Sequence, residues 1–143
     1  MGKTTTMNRS KRMWSGLATL AMVTTSSAVA AHHENIKPVA KPGQVVVTYR
    51  GDCPSEAVDD AIALIKQAIA YERKNSPILY TSSPGVWTDG KIGAVDLHES
   101  EAAMEKAFAW QAADEKWSAM YAGIASRCGL AVEDFEVTSL IAR

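Results

Sequence analysis

Residues 44–75 read QVVVTYRGDCPSEAVDDAIALIKQAIAYERKN and contain the strand, turn and helix that decide the fold. The first seven residues are rich in valine and alternate between two faces, as a β-strand does. Gly51 to Pro54 then turn the chain. An amphipathic helix that ends before Pro77 is predicted next, because apolar residues recur at spacings of four, three and four, at Val58, Ile62, Ile65 and Ile69.

Two more strands are predicted after this helix. They cover residues 78–81 and 91–98, and the segment between them, 82–90, is predicted to be a hairpin loop. Its turn signals are Pro84-Gly85 and Asp89-Gly90, and Trp87 lies at its tip.

A second helix and a final strand complete the pattern. Ser100 is predicted to cap the helix, which restarts at Asp114 and stops at Gly129. Residues 133–141 alternate as a strand. The resulting order, βαββαβ, predicts an α+β fold of ferredoxin-like type with a four-stranded antiparallel sheet.

Such a sheet has helices on one face and leaves the other face open. Valine, isoleucine, leucine and phenylalanine occur on both faces of these strands. An open apolar face of this size favours association with a second copy about a two-fold axis. The sequence therefore predicts a homodimer in which two sheets form an α/β barrel.

The first thirty residues have the layout of a secretory signal peptide. Four basic residues precede an apolar run at 13–23, and Ala28-Val29-Ala30 forms a cleavage signal. The run is too short for a membrane anchor, which needs about 20 residues. We expect an exported, periplasmic protein with a signal peptide at 1–30, a flexible lead-in at 31–43 and a single domain at 44–143.

Charge and composition exclude two classes of partner. Without residues 1–30 the chain keeps 11 basic and 16 acidic residues, a net charge of −5. It has no basic run interleaved with aromatic residues, so nucleic acid is not an expected partner. No later apolar segment is long enough to span a membrane.

Cys53 and Cys128 are the only cysteines. The expected topology places both at one end of the sheet, because the first strand ends where the first helix begins and the second helix returns to that edge. In an oxidising compartment such a pair forms a disulfide. A redox pair or metal ligands are the alternatives, but there is no C-x-x-C motif and no histidine nearby.

The strand Gly93-Ala94-Val95-Asp96-Leu97 and the step Ala113-Asp114-Glu115-Lys116-Trp117 resemble the dimeric α/β-barrel superfamily, in particular its antibiotic-biosynthesis-monooxygenase-like and NIPSNAP-like groups. The resemblance covers residues 44–142. It implies a pocket between sheet and helices, and relatives include cofactor-independent oxygenases and haem-degrading enzymes. The haem-degrading pattern does not extend to this chain, which has no histidine after His98 and no asparagine on the first strand.

His98 and Asp96 are the candidate catalytic residues. They lie two positions apart at the end of a predicted strand, so both point to one face. His98 suits a general base or an axial haem ligand. The alternative is a partly exposed strand-end histidine that solvent or a helix-start hydrogen bond satisfies.

Five residues are candidates for a pocket: Thr48, Arg50, Tyr80, Trp87 and Trp110. Thr48 and Arg50 share a strand face, although a solvated strand end is the alternative for Arg50. Trp87 is expected to pack against a partner subunit or a ligand. Tyr80, like Tyr49, offers a hydroxyl group, and Trp110 lies off the helical stripe. Trp117 lies on that stripe and is interpreted as core.

The expected lead-in contains His32 and His33. A chain beginning at Ala31 has histidine in third place, an arrangement that chelates Cu(II) or Ni(II). We interpret the pair as part of a tail, and the sequence predicts neither a metal site nor a cofactor.

Two functional hypotheses follow. The first is a cofactor-independent, monooxygenase-like enzyme that acts on an aromatic or quinone-like small molecule. The second is a non-catalytic dimer that binds a small hydrophobic molecule or has a structural role. Polar groups that converge on a closed pocket around His98, Asp96 or Arg50 favour the enzyme, whereas an apolar or filled cavity favours the binding protein.

Overall fold

The computed structural model of the protein describes residues 37–143. The predicted signal peptide at 1–30 and the first part of the lead-in, with His32 and His33, lie outside the described residues. No helix within residues 37–143 is long and apolar enough to cross a membrane.

The valine-rich segment forms strand β1, Val45–Gly51, and the stripe of isoleucines forms helix α1, Val58–Asn75. A single 3-10 turn at Ser55–Ala57 leads into this helix. The remaining strands and helices follow in the predicted order: β2 Tyr80–Val86, β3 Ile92–His98, α2 Glu101–Ala113, α3 Glu115–Arg127 and β4 Glu136–Ile141.

The four strands lie side by side in the order β2, β3, β1, β4, and each is antiparallel to its neighbours. The predicted α+β class with a four-stranded antiparallel sheet is confirmed. In the register Val47 is opposite Asp96 on β3, and Asp96 is opposite Ser82 on β2. These three residues therefore form one row across the sheet, and all are buried.

Alternation along the strands separates two faces. The inner face packs against the helices, and its core members include Val45, Val47 and Ile92. Isoleucines 65, 69 and 124 of the helices complete this core. What we call the outer face carries the alternate residues, Val46, Thr48, Arg50, Val95, Leu97, Thr138 and Leu140.

The predicted loop at 82–90 is wrong over residues 82–86, which belong to strand β2. Pro84 and Gly85 pair with Ala94 and Gly93 rather than turning the chain. Proline is tolerated here because β2 is an edge strand, where a missing N–H group breaks no ladder on its free side. The connection is therefore shorter than predicted, and its turn ends at Gly90 with a φ of 89°.

The predicted restart of the second helix at Asp114 is confirmed. The Asp114 side chain caps helix α3 by accepting a hydrogen bond from the backbone N–H of Trp117, at 2.8 Å. It also accepts a hydrogen bond from the Tyr71 hydroxyl on helix α1, at 3.1 Å. The break between α2 and α3 is thus fixed to α1, which sets the position of the Trp117 side chain.

Cys53 and Cys128 lie in disulfide contact, with their Cα atoms 4.5 Å apart. Cys53 follows β1 and Cys128 follows α3, as the topology predicts. The bond connects the end of α3 to the turn that precedes α1, and Cys128 belongs to the buried core. The predicted cysteine pairing is confirmed.

Candidate functional site

A cavity of about 50 Å³ lies between the inner face of the sheet and helices α1 and α3. One part of its wall is apolar and consists of Ile65, Ala68, Ile69, Ala94, Ile124 and Phe135. The other part carries polar groups, from Tyr49, Glu72, Ser82, Asp96, Gln111, Trp117 and Tyr121. Polar atoms from the sheet and from the helices thus meet in one small space.

The strand register brings the polar residues of the sheet to this cavity. Asp96 and Ser82 are opposite each other on neighbouring strands. Tyr49 lies on β1 two residues after Val47, the residue opposite Asp96, so it is on the same inner face. Glu72 reaches the cavity from above, because it continues the apolar stripe of helix α1 three residues after Ile69. A carboxyl group therefore comes from each side of the cavity.

Glu72 is held by several donors. Its Oε1 accepts hydrogen bonds from the Trp117 indole N–H, at 2.6 Å, and from the Gln111 amide, at 3.1 Å. The Ser82 hydroxyl lies 3.5 Å from its Oε2. Burial raises the pKa of Glu72, and these hydrogen bonds oppose that rise. This carboxyl is therefore a fixed part of the wall.

Asp96, the second carboxyl at the cavity, has fewer hydrogen-bond donors around it than Glu72. It is 4% exposed, and the donors beside its carboxyl are the two hydroxyls of Ser82 and Tyr49. Burial raises the pKa of Asp96 from 3.8 to about 7, and the charge of Glu72 adds to the rise. The neighbouring hydroxyls of Ser82 and Tyr49 lower it only in part. Asp96 is thus about half ionised near neutral pH.

The buried Tyr49 hydroxyl has no hydrogen-bond partner of standard geometry among the described residues. Burial and the charges of Asp96 and Glu72 raise its pKa far above the ordinary value of 10, so it stays protonated. It therefore keeps an O–H donor for a bound molecule. A proton acceptor and a hydrogen-bond donor in an apolar surrounding are suited to general acid–base chemistry.

The structure separates the two candidate catalytic residues. Asp96 lines the cavity, whereas His98, on the same face, does not. His98 is fully buried, and neither ring nitrogen has a partner within residues 37–143. Its ring stacks on Tyr80 at 4.7 Å and meets the edge of Phe108 at 6.0 Å. Burial lowers the pKa of His98, so the imidazole is neutral.

Two of the five pocket candidates lie near the helices. Tyr80 connects to the cavity through its hydroxyl, which accepts a hydrogen bond from Gln111 at 3.1 Å. Trp110 lies outside the cavity and stacks on Tyr71, with ring centres 6.4 Å apart.

The other three pocket candidates belong to the outer face. The Thr48 hydroxyl bonds to that of Thr138 at 2.6 Å. Arg50 forms an ion pair with Asp89, and its guanidinium lies 5.1 Å from the centre of the Trp87 ring. The Trp87 indole donates a hydrogen bond to the Tyr49 carbonyl, over Gly93. A Cβ at Gly93 would stand 1.8 Å from that carbonyl oxygen, so only glycine fits.

Several cavity residues were missed in the sequence. Glu72 and Gln111 occupy positions on apolar helical stripes, and a polar residue at such a position is the signal that identifies them. Ser82 lies in the segment for which the sequence predicts a loop. The sequence predicts Trp117 as a core residue, yet its indole N–H makes the shortest hydrogen bond to Glu72.

Comparison with known proteins shows the fold alone. No family model matches the chain, and no curated protein matches it. A solved structure of a conserved protein from Methanosarcina mazei Go1 superposes with a TM-score of 0.53 at 11% identity, covering 70% of this chain and 93% of that one. The structure of Rv0793 from Mycobacterium tuberculosis gives a TM-score of 0.44 at 19% identity, with 68% and 92% covered. The chain is thus similar in fold to the conserved protein from Methanosarcina mazei Go1.

Proposed function

We propose that this protein is an exported, dimeric, cofactor-independent enzyme that oxidises a small aromatic or quinone-like molecule with dioxygen. The observation that carries the proposal is the position of Asp96, a buried carboxyl on the wall of a cavity that is apolar on its other side, where burial raises its pKa to about 7. Enzymes need proton acceptors with a pKa near the working pH, and burial is a common way to obtain one. The proposed role of Asp96 is general base.

In the proposed reaction Asp96 accepts the acidic proton of an activated CH₂ group in the substrate. The resulting carbanion is rich in electrons, and the Tyr49 hydroxyl donates a hydrogen bond to the oxygen over which its charge spreads. This anion reduces dioxygen. One oxygen atom enters the product as a carbonyl, the other leaves as water with the two hydrogens of the CH₂ group, and no external reductant is needed.

Substrate entry requires the cavity to enlarge. An apolar cavity of about 150 Å³ accommodates benzene, and the present one is about 50 Å³. In this proposal the cavity opens when Trp117, which lines it at the first turn of helix α3, gives up its hydrogen bond to Glu72. Trp117, Tyr121 and Phe135 then provide aromatic surface for the ring.

Oxygen uptake tests the enzyme. With a panel of anthrone-type compounds, which carry an activated CH₂ group, we expect wild-type protein to accelerate uptake and Asp96→Asn to lose about 100-fold or more in kcat. The rate should rise with pH through about 7, because Asp96 acts as the ionised base. Glu105→Gln, an exposed change of equal charge on helix α2, is the matched control. Equal rates for wild type and Asp96→Asn would refute the proposal.

The apolar part of the cavity wall favours the second candidate, a non-catalytic protein that binds a small hydrophobic molecule. Saturable binding of the panel compounds without oxygen uptake by the wild type would select this candidate over the enzyme.

The proposed dimer uses the outer face of the sheet. Leu140 is 64% exposed, and Val46, Val95 and Leu97 are only partly buried. Two ferredoxin-like sheets that pack by this face form an α/β barrel and cover these side chains. Export accords with the disulfide, which persists in an oxidising compartment.

Sedimentation velocity tests the dimer. We expect twice the chain mass for the wild type and a monomer for Leu97→Glu, which places a charge on the outer face. Leu79→Glu is the matched control, because Leu79 is 89% exposed and lies before β2, outside that face. A monomeric wild type at micromolar concentration would contradict the prediction.

A further inference from the structure

The cavity has an unbalanced charge. Two carboxyl groups, of Glu72 and Asp96, line it, and no lysine, arginine or histidine of residues 37–143 does so. The ion pairs among the described residues involve other acidic groups, at the surface. Buried carboxylates without a cation are unfavourable, and a bound cation would relieve this.

Of the two carboxyl groups, Asp96 is the one that can accept further hydrogen bonds. Glu72 already accepts hydrogen bonds from Trp117 and Gln111. Asp96 is 4% exposed, and among the described residues the donors beside its carboxyl are the hydroxyls of Ser82 and Tyr49. The Tyr49 hydroxyl is buried and has no other hydrogen-bond partner there. Oxygen lone pairs of Asp96 and Tyr49 therefore remain for a donor that a bound molecule supplies.

Aromatic rings form the adjacent wall. Trp117 stacks on Tyr121 with centres 5.1 Å apart, and Tyr121 packs on Phe135 at 5.2 Å. All three line the cavity. The faces of aromatic rings attract ammonium groups, most strongly when water is excluded. A carboxylate together with aromatic rings therefore favours an ammonium group over a neutral or anionic one.

The volume of the cavity limits the size of the ammonium group that can bind. A water molecule needs about 10–15 Å³ of such space, so 50 Å³ accommodates a head group such as methylammonium, and an aromatic ring attached to it requires the same enlargement of the cavity as the proposed substrate. An ammonium group provides three N–H donors. Asp96 and Tyr49 accept two of them in this arrangement, and Glu72 lies on the opposite wall.

We propose that the cavity binds the protonated amine of a ligand R–NH₃⁺, with Asp96 as its counter-ion. The inference rests on the proposed function in taking this cavity as the ligand site, and it pairs the Asp96 carboxylate with a primary amine instead of an activated CH₂ group. It does not depend on the oxidation chemistry.

Isothermal titration calorimetry at pH 8 with four probes tests the inference. Benzylammonium, benzyl alcohol and benzoate share a ring and differ in the charge of the head group, and methylammonium lacks the ring. We expect benzylammonium to bind at least about tenfold more tightly than benzyl alcohol and benzoate not to bind. Asp96→Asn should abolish the preference for the cation, and Glu105→Gln should retain it.

The pH dependence provides a second measure. Because an ammonium ligand needs ionised Asp96, whose pKa is about 7, benzylammonium affinity should fall about 30-fold between pH 8 and pH 5.5. Glu72 is the other titratable carboxyl at the cavity, and Tyr49 and Tyr121 stay protonated over this range. In Glu72→Gln the benzylammonium affinity should still fall as the pH is lowered, with a midpoint below pH 8. In Asp96→Asn the affinity should no longer depend on pH over this range.

The outcomes separate this inference from the proposed function. Equal affinity for benzylammonium and benzyl alcohol, or a cation preference that survives Asp96→Asn, overturns the ammonium inference and leaves the oxidation of aromatic molecules standing. Binding of methylammonium without any benzyl compound supports the inference and contradicts an aromatic substrate. Absence of binding by all four probes overturns the inference.

Discussion

Replacing Asp96 by asparagine should make the protein more stable at pH 8 while destroying its proposed activity. The free energy of unfolding is expected to be similar for both proteins at pH 4 and to diverge above it. The physical reason is the pKa of Asp96, which burial raises from 3.8 to about 7. The folded state therefore holds this proton more tightly than the unfolded chain does.

The sign of the effect follows from this difference. Between about pH 4 and pH 7 the unfolded chain releases the Asp96 proton and the folded protein keeps it, so wild-type stability falls as pH rises. Above pH 7 the Asp96 carboxyl is ionised in both states, so the free energy of unfolding does not fall further. A shift of this size corresponds to about 4 kcal/mol. Asparagine has nearly the same shape and does not ionise, so the variant lacks this loss.

His98 acts in the opposite direction in both proteins. Burial lowers its pKa from 6.5, so folding loses stability as pH falls through that value and the unfolded chain takes up a proton. The wild-type profile is thus the sum of two opposing slopes. Subtracting the wild-type curve from the variant curve removes the His98 contribution and leaves that of Asp96.

Urea unfolding from pH 4 to pH 8 at one fixed protein concentration measures this difference. We expect the stability gap between Asp96→Asn and wild type to widen by about 4 kcal/mol over the range. Glu105→Gln should give a curve parallel to the wild type, because its side chain is exposed. If the Asp96→Asn curve is also parallel, Asp96 titrates at an ordinary pKa and the proposed base is wrong.

The element order and the cysteine pair were predictable because they depend on features that tertiary contacts do not change. Helix α1 follows from an isoleucine stripe, and Asp114 marks the break before α3. The β2–β3 loop was wrong because Pro84 and Gly85 are turn formers that an edge strand also tolerates. Local composition does not distinguish the two environments.

The candidate site was predicted only in part. The alternation of side chains between the two faces of β1 explains much of the error. Val45, Val46 and Val47 are all apolar, so β1 carries apolar residues on both faces and its sequence does not tell which face meets the helices. The predicted pocket residues Thr48 and Arg50 lie on the outer face, whereas the cavity lies on the inner face, on the side of Tyr49. Asp96 was predicted because it shares a strand face with His98, two positions away, and of these two residues Asp96 lines the cavity.

Loss of the Cys53–Cys128 disulfide should destabilise the protein by about 4 kcal/mol, because the bond closes a loop over a sequence separation of 75 residues. In the chain-entropy model the bond acts mainly by restricting the unfolded chain. For a domain of about 100 residues the melting temperature is then expected to fall by roughly 15–25 °C. Thermal unfolding of the double variant Cys53→Ala/Cys128→Ala measures the loss.

The same bond also supports the candidate site. It fixes the end of helix α3, whose Trp117, Tyr121 and Ile124 line the cavity, to the turn before helix α1, which carries Glu72. Reducing agent should therefore weaken benzylammonium binding in wild-type protein at a temperature where it remains folded. The double variant is the control, since reduction has nothing to cleave in it. A melting temperature within 3 °C of the wild type would mean that packing of the core around Cys128, rather than the covalent link, holds α3 against α1.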